Sequence, residues 1–170
     1  MKAKLILNGK EFEVELTDEE AKKFEQGTSK TGYERAKYMD NFSAVDVWGN
    51  VASNYVEDDG CGNTGDRFYE NVNYYTSYEV AENNARADKL MRQLRRFAVE
   101  HRKEALDWNA YNNKYTIQFD YDEGELSIDY WVSCREFGTL YFDSVETAKL
   151  AIDTFRDELV WYFTEYKDSL

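Results

Sequence analysis

Apolar and polar positions alternate from Lys2 to Leu7, break at Asn8-Gly9, and alternate again from Glu11 to Leu16. Asn-Gly between two such runs predicts a β-hairpin, because both residues tolerate the positive φ of a type I′ turn. Thr17-Asp18-Glu19-Glu20 has capping-box spacing, with Thr17 as N-cap and Glu20 reaching back. It predicts a short helix to about Gln26, ended by Gly27 in the left-handed conformation. Gly27-Thr28-Ser29-Lys30-Thr31-Gly32 reads as a linker. The pattern therefore divides the chain into an N-terminal hairpin plus short helix, residues 1–27, and a main domain, residues 33–170. Two strands and one helix are too little to be stable without docking on something else.

In the main domain, Ser43–Val47 and Val51–Tyr55 read as strands around Trp48-Gly49-Asn50, and a polar loop follows from Glu57 to Asp66. A strand is predicted over Arg67–Tyr75, then a helix of roughly 78–103 capped at Thr76 or Ser77. Along it Val80, Ala87, Leu90, Met91, Leu94, Phe97, Ala98 and His101 fall in one stripe at 100° per residue, opposite Lys89, Arg92, Arg96 and Lys103. Three alternating runs come next, Lys114–Tyr121, Glu125–Val132 and Phe137–Phe142, and predict an antiparallel meander with one buried side. Asp143 or Ser144 caps a last helix with Ala148, Ile152, Phe155, Leu159, Tyr162, Phe163 and Tyr166 at helical spacing. The fold class is thus α+β, an antiparallel meander packed by two long amphipathic helices, with the small N-terminal β-β-α unit. Tyr74 to Ala81 also echoes Tyr141 to Ala148: an aromatic strand end, a polar cap, an acid in the first turn and a small residue. Either an old duplication or the shared physics of strand-to-helix turns produces such an echo.

Charge changes the picture more than composition does. The 170 residues carry 21 Lys+Arg against 34 Asp+Glu, a net charge of −13. From Glu104 onward there are 15 acids and 5 bases, so −10 sits in the C-terminal part. Such a field attracts basic partners and repels nucleic acid in a salt-dependent way. With 42% apolar residues the chain folds rather than forming an acidic tail, and its 14 Tyr, 10 Phe and 4 Trp supply flat amphipathic area for core or interface. No run approaches ~18 apolar residues, and Met1-Lys2-Ala3-Lys4 does not open a signal peptide. Cys61 and Cys134 are isolated and read as free thiols. A cytoplasmic protein with no membrane contact is expected.

Candidate chemistry is sparse. His101 is the only histidine, so Ser-His-Asp and Cys-His systems lack their usual base. Three His and Cys residues, widely spread, make no zinc site, and the 57–66 loop departs from the EF-hand spacing. There is no Walker loop and no GxGxxG, and no cofactor or metal is expected. Asp120, Asp122, Glu123, Glu125 and Asp129, with Trp131 beside them, form an acidic ridge on the exposed face and tip of the central hairpin. A hairpin tip does not desolvate the carboxylates as glycosidase chemistry requires, so the ridge reads as a solvated or partner-binding surface and the chain as a non-enzyme. Lys89, Arg92 and Arg96, with Trp108 and Tyr111, are an alternative anion-binding set for nucleotides or nucleic acid. The same basic face equally suits pairing with the acidic C-terminal segment, within one chain or across a homodimer.

Thr31-Gly32-Tyr33-Glu34-Arg35, Leu94-Arg95-Arg96-Phe97-Ala98-Val99-Glu100-His101, Asp107-Trp108, Phe137-Gly138-Thr139-Leu140-Tyr141-Phe142 and Phe155 to Tyr166 together carry a resemblance. The chain resembles, over nearly its whole length, small acidic accessory proteins of phages and prophages of Gram-positive bacteria. The resemblance implies no catalytic or binding residue. It implies a setting in the host bacterial cytoplasm, in which such proteins are often inhibitors of host machinery, anti-CRISPR proteins among them. The expectation is an anti-defence inhibitor whose acidic ridge binds a basic host protein such as a Cas nuclease. A nucleotide or nucleic-acid binder and a self-assembling phage structural or regulatory protein are the alternatives.

Overall fold

A computed structural model describes residues 2–7, 10–15, 17, 31–56 and 64–166. The expected helix between Thr17 and Gln26 lies outside the described residues. The order is β1 (Lys2–Leu7), β2 (Lys10–Glu15), β3 (Asn41–Val45), β4 (Val51–Tyr55), α1 (Thr64–Glu70), α2 (Tyr78–His101), β5 (Lys114–Asp120), β6 (Glu125–Trp131) and α3 (Val145–Thr164). The fold is α+β, and its strands pair as three antiparallel hairpins, β1-β2, β3-β4 and β5-β6. The pairing of Leu7 with Lys10 is the register that the alternation around Asn8-Gly9 calls for.

β3 and β4 close around Asp46. Its carboxylate accepts from the Trp48 and Asn50 amides, both at 2.8 Å, while Gly49 turns the chain at φ +87°. Strand β3 therefore ends at Val45, two residues short of the sequence expectation. The expected strand over Arg67–Tyr75 is overturned. Residues Thr64–Glu70 are helical, and Val72 stands 72% exposed at φ +56°. Asn73 takes the place of a strand partner: its side-chain amide exchanges two 2.8 Å hydrogen bonds with the Val45 backbone. Phe68 then turns inward from α1 onto Phe42 and Tyr74, which stack at 4.3 Å between centroids.

The meander is also corrected. Phe137–Phe142 forms no strand beside β6; only Phe142 pairs, through one bridge to Tyr115 on the outer edge of β5. Gly138 at φ +79° and a fully exposed Phe137 keep the run from extending. The apolar side of β5-β6 faces the core as expected, with Ile117 opposite Ile128 and Phe119 opposite Leu126 half-buried, whereas Tyr130, opposite Tyr115, is exposed and Lys114 and Thr116 on the other face are buried. Ile117, Leu126 and Ile128 pack on a core of Leu90, Leu94, Phe97 and Ala98 from α2, Phe142, and Ala148, Ala151, Ile152 and Leu159 from α3. Each Å² of apolar surface that this core removes from water stabilises the main domain by about 25 cal/mol. Within α3, Phe155 departs from helical geometry at φ −118°, ψ +21°, so the helix kinks there.

The sequence echo is a structural one. Tyr75 and Ser43 exchange backbone hydrogen bonds of 2.9 and 2.7 Å, and Tyr115 and Phe142 exchange bonds of the same two lengths. Ser77 and Ser144 follow as N-caps of α2 and α3, accepting from the Val80 and Thr147 amides. Ala81 and Ala148, four residues past each cap, are both 0% exposed. The hydroxyls of Tyr74 and Tyr141 accept from the Ala36 and Glu136 amides. The fold thus contains a hairpin, a bridge and a capped helix twice over, with α2 packed against β3-β4 and also reaching the core shared with α3.

Candidate functional site

The acidic ridge is built by one face of the β5-β6 hairpin. Side chains alternate along a strand, and the register places Asp120 opposite Glu125, Gln118 opposite Ser127, Thr116 opposite Asp129 and Lys114 opposite Trp131. At the tip, the Asp120 carboxylate accepts from the amides of Asp122 and Glu123, and Gly124 at φ +72° completes the turn. Asp129 accepts from the Gln118 amide group at 3.3 Å. All five ridge acids are exposed, and among the described residues none of them forms an ion pair. The Tyr121 hydroxyl donates to the Phe163 carbonyl at 2.8 Å, which fastens the tip to the end of α3.

Trp131 does not extend this surface as expected. It is half-buried, and its indole Nε1 is enclosed without a hydrogen-bond partner. The reason lies at the open end of the hairpin, where Lys114 is 1% exposed although it lies on the ridge face. Its Nζ donates to the carbonyls of Ala110, Asn112 and Val132 at 2.8–2.9 Å and lies 5.2 Å from the Trp108 ring centre. The ridge is therefore solvated at its tip and closed over at its base.

The alternative anion-binding set is not brought together. Lys89, Arg92 and Arg96 are exposed on the outer side of α2, and Arg96 is engaged by Glu100 one turn on, at 2.7 Å. Arg86 is held by both carboxylate oxygens of Glu158 and lies 3.8 Å from the Trp161 ring centre. Arg86, outside that set, thus ties the basic helix to the acidic C-terminal segment within one chain, whereas among the described residues Lys89, Arg92 and Arg96 form no ion pair with that segment. Tyr111 is exposed, whereas Trp108 is half-buried edge-on against Tyr141 at 4.9 Å. What Trp108 does meet is a different flank of α2: it lines one groove with Arg95, Arg102 and Arg135. Arg135 lies in the segment after β6, with no local pattern to single it out; only the chain's return toward α2 brings it there.

Two further carboxylates brace the two ends of α2. The Glu34 carboxylate accepts from the Thr31 and Gly32 amides and from the hydroxyls of Thr31 and Thr76. Backbone and side-chain hydrogen bonds outweigh desolvation and bring its pKa from 4.5 down to about 2. Asp143 accepts from the Lys103 and Glu104 amides where the chain leaves α2. Burial pushes its pKa up, but the two amides hold it below the usual range. His101 bonds the Phe97 carbonyl through Nδ1 at 3.0 Å and stacks on the Phe97 ring, a helix-end role. Asp66, placed in a loop by its sequence context, is on α1 and pairs with Arg35. Cys134 is exposed as a free thiol. No described helix is long and apolar enough to cross a membrane.

Comparison of the chain with protein-family models, curated proteins and solved structures gave no match.

Proposed function

We propose that the chain is a non-catalytic inhibitor that covers a basic nucleic-acid-binding surface of a host defence effector, such as a CRISPR nuclease, with the tip of its β5-β6 hairpin. The observation that carries this reading is Asp120 lying directly opposite Glu125. Like charges facing each other across a hairpin destabilise it by a few tenths of a kcal/mol. Asp122 and Glu123 add to the same tip, and no described lysine or arginine forms an ion pair with any of them. The Asp120 carboxylate shapes the turn, whereas among the described residues the side chains of Asp122, Glu123 and Glu125 make no ion pair. A row of unneutralised carboxylates, on a tip tethered by Tyr121, suits mimicry of a phosphate backbone.

The experiment is inhibition of DNA cleavage by a purified Cas nuclease, with wild type and the Asp122→Lys/Glu123→Lys/Glu125→Lys variant. Wild type inhibits at stoichiometric concentration, more weakly at high salt. The variant keeps its melting temperature and loses inhibition. A variant that inhibits as well as wild type refutes the ridge as the binding surface.

A further inference from the structure

The groove between α2 and the segment after β6 combines features that the ridge does not use. Arg95 and Val99 follow one another along one flank of α2 at i and i+4, Arg102 is the extended residue that caps its C-terminal end, and all three are exposed. Arg135 faces them from the far wall, with its guanidinium carbon 5.9 Å from the centre of the Trp108 ring. The floor is apolar and aromatic: Ala98, Leu106, Trp108, Leu140 and Tyr141. The groove holds about 380 Å³, and opens past Arg95 and Arg135 into a second depression bordered by Phe137 and Glu136.

The charge balance of this groove is the reverse of the molecule's. In a chain of net charge −13, three arginines share one small concavity, and among the described residues Glu136 is the single acid lining its two parts. Among the described residues none of Arg95, Arg102 and Arg135 forms an ion pair, unlike Arg35, Arg86, Arg96 and Arg156. Guanidinium groups present forked donors matched to phosphate oxygens. Indole and phenyl rings at the floor and rim match a flat heterocycle. The volume fits a small ligand, and the acidic ridge and C-terminal acids oppose a long polyanion.

We propose that this groove is a binding site for a nucleoside polyphosphate, its base against Trp108 and its phosphates on Arg95, Arg102 and Arg135. The site is separate from the hairpin ridge, so it stands or falls independently of the inhibitor reading.

Titration calorimetry with ATP, with GTP and with a single-stranded oligothymidylate tests it. ATP or GTP binds to wild type, and Arg95→Glu/Arg135→Glu weakens that binding by about tenfold or more, the loss expected for removing charge-assisted contacts. Arg92→Glu, on the outer flank of the same helix, leaves affinity within about twofold. Thermal melts of both variants without nucleotide establish that the fold is kept. Should the double variant unfold, Trp108→Phe and quenching of the Trp108 fluorescence by nucleotide provide the same reading. Absence of binding by both nucleotides at millimolar concentration, binding insensitive to these substitutions, or tighter binding of the oligothymidylate overturns the proposal.

Discussion

Glu34 accepts a hydrogen bond from the hydroxyl of Thr76, so a side chain from the start of the main domain closes on the residue just before the cap of α2. The Thr76 amide meanwhile donates to the Gly32 carbonyl at 2.7 Å, and the Tyr33 hydroxyl accepts from Asn84 on the second turn of the helix. The short motif Thr31-Gly32-Tyr33-Glu34 is therefore a clamp on the N-terminal end of α2.

The clamp makes an acid-sensitive contribution. A carboxyl depressed from 4.5 to about 2 stabilises the fold above its unfolded value, and that stabilisation is lost as pH falls through the folded value. Glu34→Gln should therefore melt below wild type at pH 7, with the gap narrowing between pH 4.5 and about 2. Thermal melts across this range check it; a gap independent of pH contradicts it.

Gly32 and Gly138 separate two costs of a side chain at positive φ. A Cβ on Gly32 would come within 2.9 Å of Val80 Cγ2, whereas one on Gly138 meets nothing within 4 Å. Gly138→Ala should cost about 1 kcal/mol of backbone strain, and Gly32→Ala about 2–3 kcal/mol, because the clash displaces Val80 from the first turn of α2. Urea unfolding of the two variants measures the difference.

Lys114 is the buried charge on which the base of the ridge rests. Lys114→Met keeps the volume but leaves the carbonyls of Ala110, Asn112 and Val132 without their donor. A loss of about 1–3 kcal/mol is expected from leaving these part-buried acceptors unsatisfied, read as a lower urea midpoint. The Trp108 emission should also change, since the ammonium lies near that ring.

Arg86 joins α2 to α3 through Glu158 and the Trp161 face. Both ionic partners are partly solvated, so the pair contributes about 0.5 kcal/mol, and the ring contact about 0.5–1 kcal/mol more. Arg86→Ala should lower stability by about 1–1.5 kcal/mol on these values. The Arg86 hydrogen bond holds the Glu158 carboxyl below its ordinary value. That share of the stability is present above the unfolded Glu value and fades in acid. Chemical denaturation at pH 7 and pH 3.5 checks both parts.

Local signals in the sequence located those elements whose contacts are themselves local. The β5-β6 hairpin follows from alternation around Asp122-Glu123-Gly124, and α2 and α3 from apolar spacing behind Ser77 and Ser144. Residues 67–75 were not legible in this way, because Asn73 imitates a strand with its side chain and Phe68 faces inward from a helix. Phe137–Phe142 alternates like a strand, yet only Phe142 finds a partner, on the edge of β5 that a meander leaves free. The ridge acids were legible because a hairpin tip displays them by geometry alone. Arg135 and Lys114 were not, since their roles depend on chain segments distant from them in sequence or on backbone carbonyls, which carry no residue identity.

The doubled hairpin, bridge and capped helix has a consequence for how the molecule opens. Each bridge ties a helix start to its own preceding hairpin, so either half has the makings of a separate folding unit, with α2 common to both. Amides in the middle of α2 should then exchange with solvent only when the whole main domain unfolds, while those of β3-β4 and of the β5-β6 tip exchange through smaller, independent openings. A partner gripping the hairpin tip would thus slow exchange there and leave the centre of the long helix unchanged.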